Sequence, residues 1–242
     1  MLVSEAIAEK FVKAASITSE ETVLEIGTGT GVITKLLADR ARKVLTWEID
    51  EGIFRSTRQT LDKLRNVTMQ CGNAFSDEND AEFDVCVTSL PYSESLRFMK
   101  WLSARTNKFK RCVAIVQSEF ASKLTSNIGM KSYRAVSVIA QDSFHLERLF
   151  PIANSFFYPR PRVLSEAVKL TPKQDSEEPF FSARRVHVLN QLFSFRGRLL
   201  SSAIKKTGYT GTLPEHLLKS RIENLPPELF AEIILKLEVP PK

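Results

Sequence analysis

The chain has 242 residues, 43% hydrophobic and 26% charged, enough for one ordinary water-soluble core plus a small appendage. No apolar run approaches the ~20 residues of a membrane span. Residues 1–16 carry a helical apolar stripe (Ile7, Phe11, Val12, Ala15) and not the layout of a signal peptide, so a cytoplasmic protein without membrane association is expected. Cys71, Cys86 and Cys112 lie far apart with no C-x-x-C pair, and His145, His187 and His216 are equally scattered, so reduced core cysteines and no metal site are expected. The net charge of +6 is uneven: residues 1–150 hold 20 Lys and Arg against 19 Asp and Glu, residues 151–242 hold 14 against 9. A basic second half suggests a polyanion partner, most simply nucleic acid.

In chain order, Val23-Leu24-Glu25-Ile26 reads as a buried strand that runs into the turn Gly27-Thr28-Gly29-Thr30-Gly31 and then a helix with Ile33, Leu36 and Leu37. Glycines at alternate positions let backbone approach a ligand closely. A dinucleotide fingerprint counted from Gly27 would need glycine where Val32 stands. The spacing is instead E-x-G-x-G-x-G, typical of S-adenosylmethionine (SAM) sites. Val44 to Asp50 reads as a second strand, and a carboxylate about 20 residues past the turn suits a ribose diol; Glu48 is the candidate and Asp50 the alternative. Next come the strand Val67–Cys71 and the turn Gly72-Asn73-Ala74, which by its place in the order can reach an adenine ring.

Further strands are expected at Phe83–Thr88, Cys112–Gln117, Ser143–Phe150 and Val163–Leu170, and helices at Ile53–Leu64, Glu94–Ala104 and Tyr133–Gln141. The alternation predicts an α/β, Rossmann-like doubly wound sheet. The polar stretch Thr171–Pro179 is read as a linker between a SAM-binding domain (1–174) and a small helical domain (175–242) carrying Val186, Leu189, Leu192, Phe193, Leu199, Leu200, Ala203, Ile204, Phe230, Ile233, Ile234 and Leu237 at helical spacing.

The strand from Phe83 ends in Ser89-Leu90-Pro91-Tyr92, beyond the carboxyl edge of the sheet where ligands of such folds bind. Its chemistry suits methylation of an aromatic amine. Acceptors aimed at the two amine hydrogens favour the pyramidal, nucleophilic form, proline stiffens the loop, and tyrosine offers a stacking face for an extruded base.

These motifs together resemble the ribosomal RNA adenine dimethyltransferases, the KsgA-like family that includes the erythromycin-resistance methylases. The resemblance runs through Leu24-Glu25-Ile26-Gly27-x-Gly29-x-Gly31, Glu48-Ile49-Asp50, Gly72-Asn73-Ala74, Leu90-Pro91-Tyr92, Val116-Gln117-x-Glu119, Phe157-x-Pro159-x-Pro161-Arg162-Val163-x-Ser165 and Phe193-x-x-Arg196-x-Arg198. It implies two methyl transfers from SAM, with S-adenosylhomocysteine as product, to an adenine amine of small-subunit rRNA during ribosome assembly, by a monomer that needs no metal. On that reading Leu2, Glu25, Gly27, Gly29, Gly31, Glu48, Asn73 and Ser89 serve the cofactor. Ser89 and the Leu90 carbonyl meet the amine, with Pro91 in the loop and Tyr92 and Phe157 around the base. Arg184, Arg185, Arg196, Arg198, Lys205 and Lys206 grip rRNA phosphates. The chain departs from the family at Ser89 (usually Asn), Asn73 (usually Asp) and Gly197 (usually Arg), and Leu2 stands where the leucine of a Gln-Asn-Phe-Leu-type arm would be, the residues before it being absent from this sequence. The departures imply a rival expectation, a SAM- and rRNA-binding assembly factor with little transfer; a large-subunit rRNA methylase is a second.

Overall fold

The computed structural model describes residues 1–76, 81–173 and 183–238. Contacts divide the chain into two compact units. The first is Met1–Phe98, Asn107–Ala121 and His145–Pro172; the second takes Met99–Thr106, Ser122–Phe144 and the described residues from Lys173 onward.

The first unit is built on a seven-stranded sheet. Its strands are β1 (Thr22–Ile26), β2 (Lys43–Glu48), β3 (Val67–Cys71), β4 (Val85–Ser89), β5 (Arg111–Gln117), β6 (Phe144–Ile152) and β7 (Ser165–Pro172). Their order is β3-β2-β1-β4-β5-β7-β6, parallel from β3 to β5 and antiparallel between β5 and β7. Every residue of β1 is buried, as a strand covered on both faces requires. The helices α1 (Glu5–Ala14), α2 (Val32–Ala38) and α3 (Glu51–Leu61) belong to this unit. Ser4 caps α1 by accepting from Ile7 N, and Ala8, Phe11 and Val12 bury its stripe. Asp50 caps α3 by accepting from Ile53 N at 2.9 Å.

The expected strands are present with edges shifted by at most two residues. The helix foreseen from Glu94 is α4 (Ser95–Ser103), entered through a 3-10 turn at Tyr92–Glu94. A short helix not foreseen, α5 (Ser118–Leu124), follows β5 directly.

The second unit joins α6 (Ala135–Ser143) to α7 (Ala183–Phe193), α8 (Leu200–Thr207), α9 (Glu215–Leu218) and α10 (Pro227–Leu235). Tyr133, Val138 and Ile139 share one core with Leu189, Leu192, Leu200, Phe230 and Ile233. The Tyr133 hydroxyl donates to Leu225 O at 2.9 Å, and its ring meets Phe193 edge-on with centroids 5.7 Å apart. Hence this unit recruits a helix far upstream of the expected cut at residues 174/175. That cut itself lies outside the described residues, as does most of the foreseen linker. Leu199, foreseen inside a helix, is the N-cap of α8 and is exposed.

Candidate active site

The strand order reverses between β1 and β4, and crevices of doubly wound sheets open beyond the carboxyl ends of the strands at such a point. β1 ends beside Trp47 of β2 and Thr88 of β4. Gly27 N and Thr28 N both donate to Trp47 O, at 2.8 and 3.3 Å, and Thr88 Oγ1 donates to Ile26 O at 2.8 Å. These bonds hold the glycine turn and the Ser89 loop side by side. Gly27 takes φ 87°, and a Cβ on it would meet only Ser89 O, 3.9 Å away, so its open face is a cradle. Gly31 is a glycine for another reason. At φ 76° it starts α2, and a Cβ there would press on Thr57 and Leu61 of α3 at 3.0 and 3.3 Å. It packs two helices together and does not line the crevice.

The crevice is a cavity of about 430 Å³, within the range that takes a nucleoside-sized ligand. Leu2, Gly27, Gly29, Glu48, Asn73, Ser89, Leu90, Pro91 and Phe157 all line it. Among the described residues the lining holds the carboxylates Glu48, Asp50 and Glu94 and no lysine or arginine. Three carboxylates disfavour a pyrophosphate there and complement a cationic nucleoside. The Glu48 carboxylate accepts from Gly29 N (Oε2, 2.9 Å) and from Asp50 N (Oε1, 3.0 Å), which fixes both oxygens and leaves each a further lone pair. Asp50 uses Oδ1 to cap α3, which makes Glu48 the better placed of the two ribose candidates.

Phe157 is tied to the amino-terminal segment. Leu2 and Phe157 form an antiparallel bridge, Val3 N donates to Phe156 O at 2.9 Å, and Met1 and Tyr158 exchange bonds at 2.8 Å. Ser89 is the last residue of β4, and Leu90 beside it is buried. Tyr92 opens the 3-10 turn, and its side chain lies outside the described residues.

Glu25 stands apart from the expectation. It is 1% exposed and absent from the lining, because its side chain runs under the turn. Thr34 and Thr46 hydroxyls both donate to its Oε2 at 2.6 Å, Thr28 Oγ1 lies 2.7 Å from Thr46 Oγ1, and Oε1 is buried without a partner in the described structure. Burial pushes this carboxyl up to about 7 against the pull of the two hydroxyls, with the nearby Glu48 charge adding to the rise. Glu25 therefore props the turn from below through Thr46 and Thr28. The sequence reading missed these threonines, along with Trp47, Ile49, Phe75 and Glu94 of the lining. Of these, the highly exposed Ile49 next to Glu48 had a legible signal, an apolar residue past the end of a buried strand.

In the second unit Arg184, Arg198, Lys205 and Lys206 are exposed. Arg196 is not available in the same way: it pairs with Glu223 at 2.7 Å and donates to Met130 O at 3.2 Å. Among the described residues no group of His, Cys, Asp and Glu is arranged to hold a metal ion, and no helix is long and apolar enough to cross a membrane.

Comparison with known proteins agrees with this geometry. The chain is 31% identical to a probable ribosomal RNA small subunit methyltransferase A of Methanosarcina barkeri, covering 96% of this chain and 83% of that protein. It is 34% identical to the ribosomal RNA small subunit methyltransferase A of Thermotoga maritima over 69% of this chain and 59% of that one. A dimethyladenosine transferase from Plasmodium falciparum superposes with a TM-score of 0.83 at 26% identity, over 97% of this chain and 96% of that one. The 23S rRNA methyltransferase ErmE shares the fold, with a TM-score of 0.71 at 21% identity over 98% of each chain. The family defined as ribosomal RNA adenine dimethylase matches residues 1–238, and the chain belongs to it.

Proposed function

We propose that the protein dimethylates the exocyclic amine of an adenine in small-subunit rRNA, using SAM, during ribosome assembly. The observation that carries this reading is the shared cavity: the glycine turn and the Ser89 loop face one space at the switch point of the sheet. Gly27 and Gly29 give that space a wall without side chains, Glu48 presents a fixed carboxylate to a ribose diol, and the acidic lining complements a sulfonium and an ammonium. SAM, when bound, supplies a methyl group on a positively charged sulfur.

The chain's own contribution is geometric. Ser89 Oγ and the Leu90 carbonyl accept the hydrogens of the target amine and turn its lone pair out of conjugation. Pro91 fixes the loop, and Phe157, held by its bridge to Leu2, supplies an apolar face for the base. The amine releases its proton to water after attack, so no side chain has to act as a base. The basic residues Arg184, Arg185, Arg198, Lys205 and Lys206 of the 175–242 helical segment, with Arg196 committed to its ion pair, contact rRNA phosphates. The test is transfer of labelled methyl from SAM to under-methylated small subunits, followed by mass spectrometry of the rRNA. Dimethyladenosine in that rRNA supports the reading. Tight binding of SAM and subunits with no label transferred identifies a non-catalytic assembly factor, and label in large-subunit rRNA alone identifies a methylase of that subunit.

A further inference from the structure

In the second unit three connecting segments lie side by side. Leu200 N donates to Ser220 O at 2.8 Å, Ile222 N to Arg198 O at 3.1 Å and Glu223 N to Arg196 O at 3.0 Å, so 196–200 and 220–223 run as neighbours. Gly129 N donates to Glu223 O at 2.7 Å and the Arg196 guanidinium to Met130 O at 3.2 Å, which joins the loop before α6 to the same surface. The tip of that loop is apolar and held in one shape. Met130 N donates to Asn127 O at 3.2 Å, closing a turn whose third residue, Gly129, takes φ 80°, the positive value type II turns need there. Ser126 and Ser132 hydroxyls meet 2.8 Å apart across its base, and Arg134 donates to Lys131 O and Tyr133 O. Yet the turn leaves Ile128 43% and Met130 57% exposed.

The surroundings of these two side chains are cationic. Lys131 and Arg198 are exposed and in no ion pair among the described residues, and the exposed Arg221 rests its guanidinium on Gly197 O at 3.0 Å. Burial, then the charge of nearby Arg196, holds the Arg134 guanidinium below its ordinary value. Against these five cations the carboxylate bonded among them is that of Glu223, 2.7 Å from Arg196. A protein that covered Ile128 and Met130 would have to desolvate these cations or bring several acids of its own. A polynucleotide brings both parts at once, phosphates for the cations and apolar base faces between them.

We infer that Ile128 and Met130 form an apolar wedge that packs against splayed bases of the rRNA, while Lys131, Arg198 and Arg221 take the phosphates around them. This rests on the rRNA reading above and adds to it a contact without charge. Phosphate contacts position any RNA alike, whereas a wedge needs bases that are unpaired or easily unstacked. The wedge therefore favours irregular stretches of the rRNA over regular duplex.

The experiment is titration of protein-free small-subunit rRNA, of assembled small subunits and of a regular RNA duplex across a salt series. The proteins are the wild type, the double variant Ile128→Ser with Met130→Ser, and Lys131→Ala. The double variant should lose about tenfold in affinity for the rRNA, keep the wild-type slope of log affinity against log salt, and bind duplex as the wild type does. Lys131→Ala should instead lower that slope by about 0.7–0.9 for both RNAs, one phosphate's worth. Thermal unfolding of each variant confirms that the fold is retained. Unchanged rRNA affinity in the double variant, or an equal loss for rRNA and duplex, overturns the inference and leaves the methyl-transfer reading standing. A loss confined to assembled subunits also overturns it and assigns the wedge to a ribosomal protein. Self-association of the wild type that the double variant abolishes overturns it in favour of a second copy of the chain. The expected losses in a protein that transfers no methyl group support the inference and overturn the methyl-transfer reading alone.

Discussion

The two ends of the sheet in the first unit treat charge in opposite ways. At the amino ends of the strands acids are neutralised. Glu21, just before β1, takes two bonds from the Arg111 guanidinium at 2.9 and 2.7 Å, and Arg111 also donates to Ala15 O and Ser16 O. Asp84, just before β4, accepts from Thr22 N at 2.9 Å and pairs with Lys110 at 3.0 Å. At the carboxyl ends Glu48 and Asp50 face a cavity whose lining holds no lysine or arginine among the described residues, and Glu94 of the same lining has Arg97 3.7 Å away. An end that only holds strands together gains from closed ion pairs. An end that receives a cationic ligand leaves its acids open, at a cost in stability.

The sharpest way to break the contrast is Arg111→Met, which takes the guanidinium from the almost wholly buried Glu21 and leaves it only the Thr18 N–H at 3.0 Å and the exposed Lys110 at 3.6 Å. Removing one member of such a pair costs roughly 3–5 kcal/mol, read as a drop in the denaturant midpoint, while affinity for S-adenosylhomocysteine in the folded fraction stays unchanged. The pH profile carries a second signature. The Arg111 bonds hold the Glu21 carboxyl down at about 2, from an ordinary 4.5. A depressed carboxylate stabilises the fold above 4.5 and loses that contribution as pH falls from 4.5 towards 2. The acid-side loss should be present in the wild type and much smaller in Arg111→Met.

Glu25 should show the reverse sign. Its carboxyl is raised to about 7, so below pH 4.5 it is protonated in both folded and unfolded chains and contributes its full share. As pH climbs from 4.5 through 7 the unfolded chain gives up the proton that the fold retains, and stability falls, by an amount of the order of 2–3 kcal/mol. Glu25→Gln, which keeps an oxygen for the two threonines, should flatten the wild-type decline between pH 5 and 8 in urea unfolding. A decline of the same size in Glu25→Gln would place its source elsewhere.

Glu48→Gln tests the open end directly. The shape is nearly kept, but one of the two oxygens that hold Gly29 N and Asp50 N becomes an NH₂ group. Affinity for S-adenosylhomocysteine should fall by roughly 10- to 30-fold, about 1.5–2 kcal/mol by calorimetry, with a smaller change in unfolding midpoint than Arg111→Met produces.

The same contrast explains what could be read from the chain alone. Central parallel strands are buried on both faces and therefore appear as largely apolar runs, so β1, β4 and β5 were legible, and the turns at the ends of β1 and β4 followed from the glycines and from Ser89-Leu90-Pro91. Direction was not legible. Glu25 and Glu48 are both acids near strand ends, yet one points into the core beneath the turn and the other into the cavity, a difference set by strand pleat and register. The same holds for Gly31, a member of the glycine pattern that serves the contact with α3. Membership of α6 in the second core depends on pairings such as Tyr133 with Leu225, 92 residues apart, which no local periodicity encodes. The helices α5 and α9, of seven and four residues, are too short to show a period.

The rule that paired charges hold and open charges bind extends to the second unit, and there it predicts the smallest effect. Arg196 and Arg198 are two residues apart and were grouped together from sequence, but Arg196 is closed onto Glu223 and Met130 O while Arg198 is exposed, as is Lys205. Arg198→Ala with Lys205→Ala should leave cofactor affinity and stability nearly as they are. It should weaken binding to small-subunit rRNA and lower the slope of log affinity against log salt by about 1.5, two phosphate contacts' worth. Arg196→Ala should do the opposite, lowering the unfolding midpoint through the stranded Glu223 while barely changing that slope. If Arg196→Ala changes the salt slope more than the exposed pair does, an ion pair seen in the free protein opens when RNA binds, and charge pairing no longer separates holding residues from binding ones in this unit.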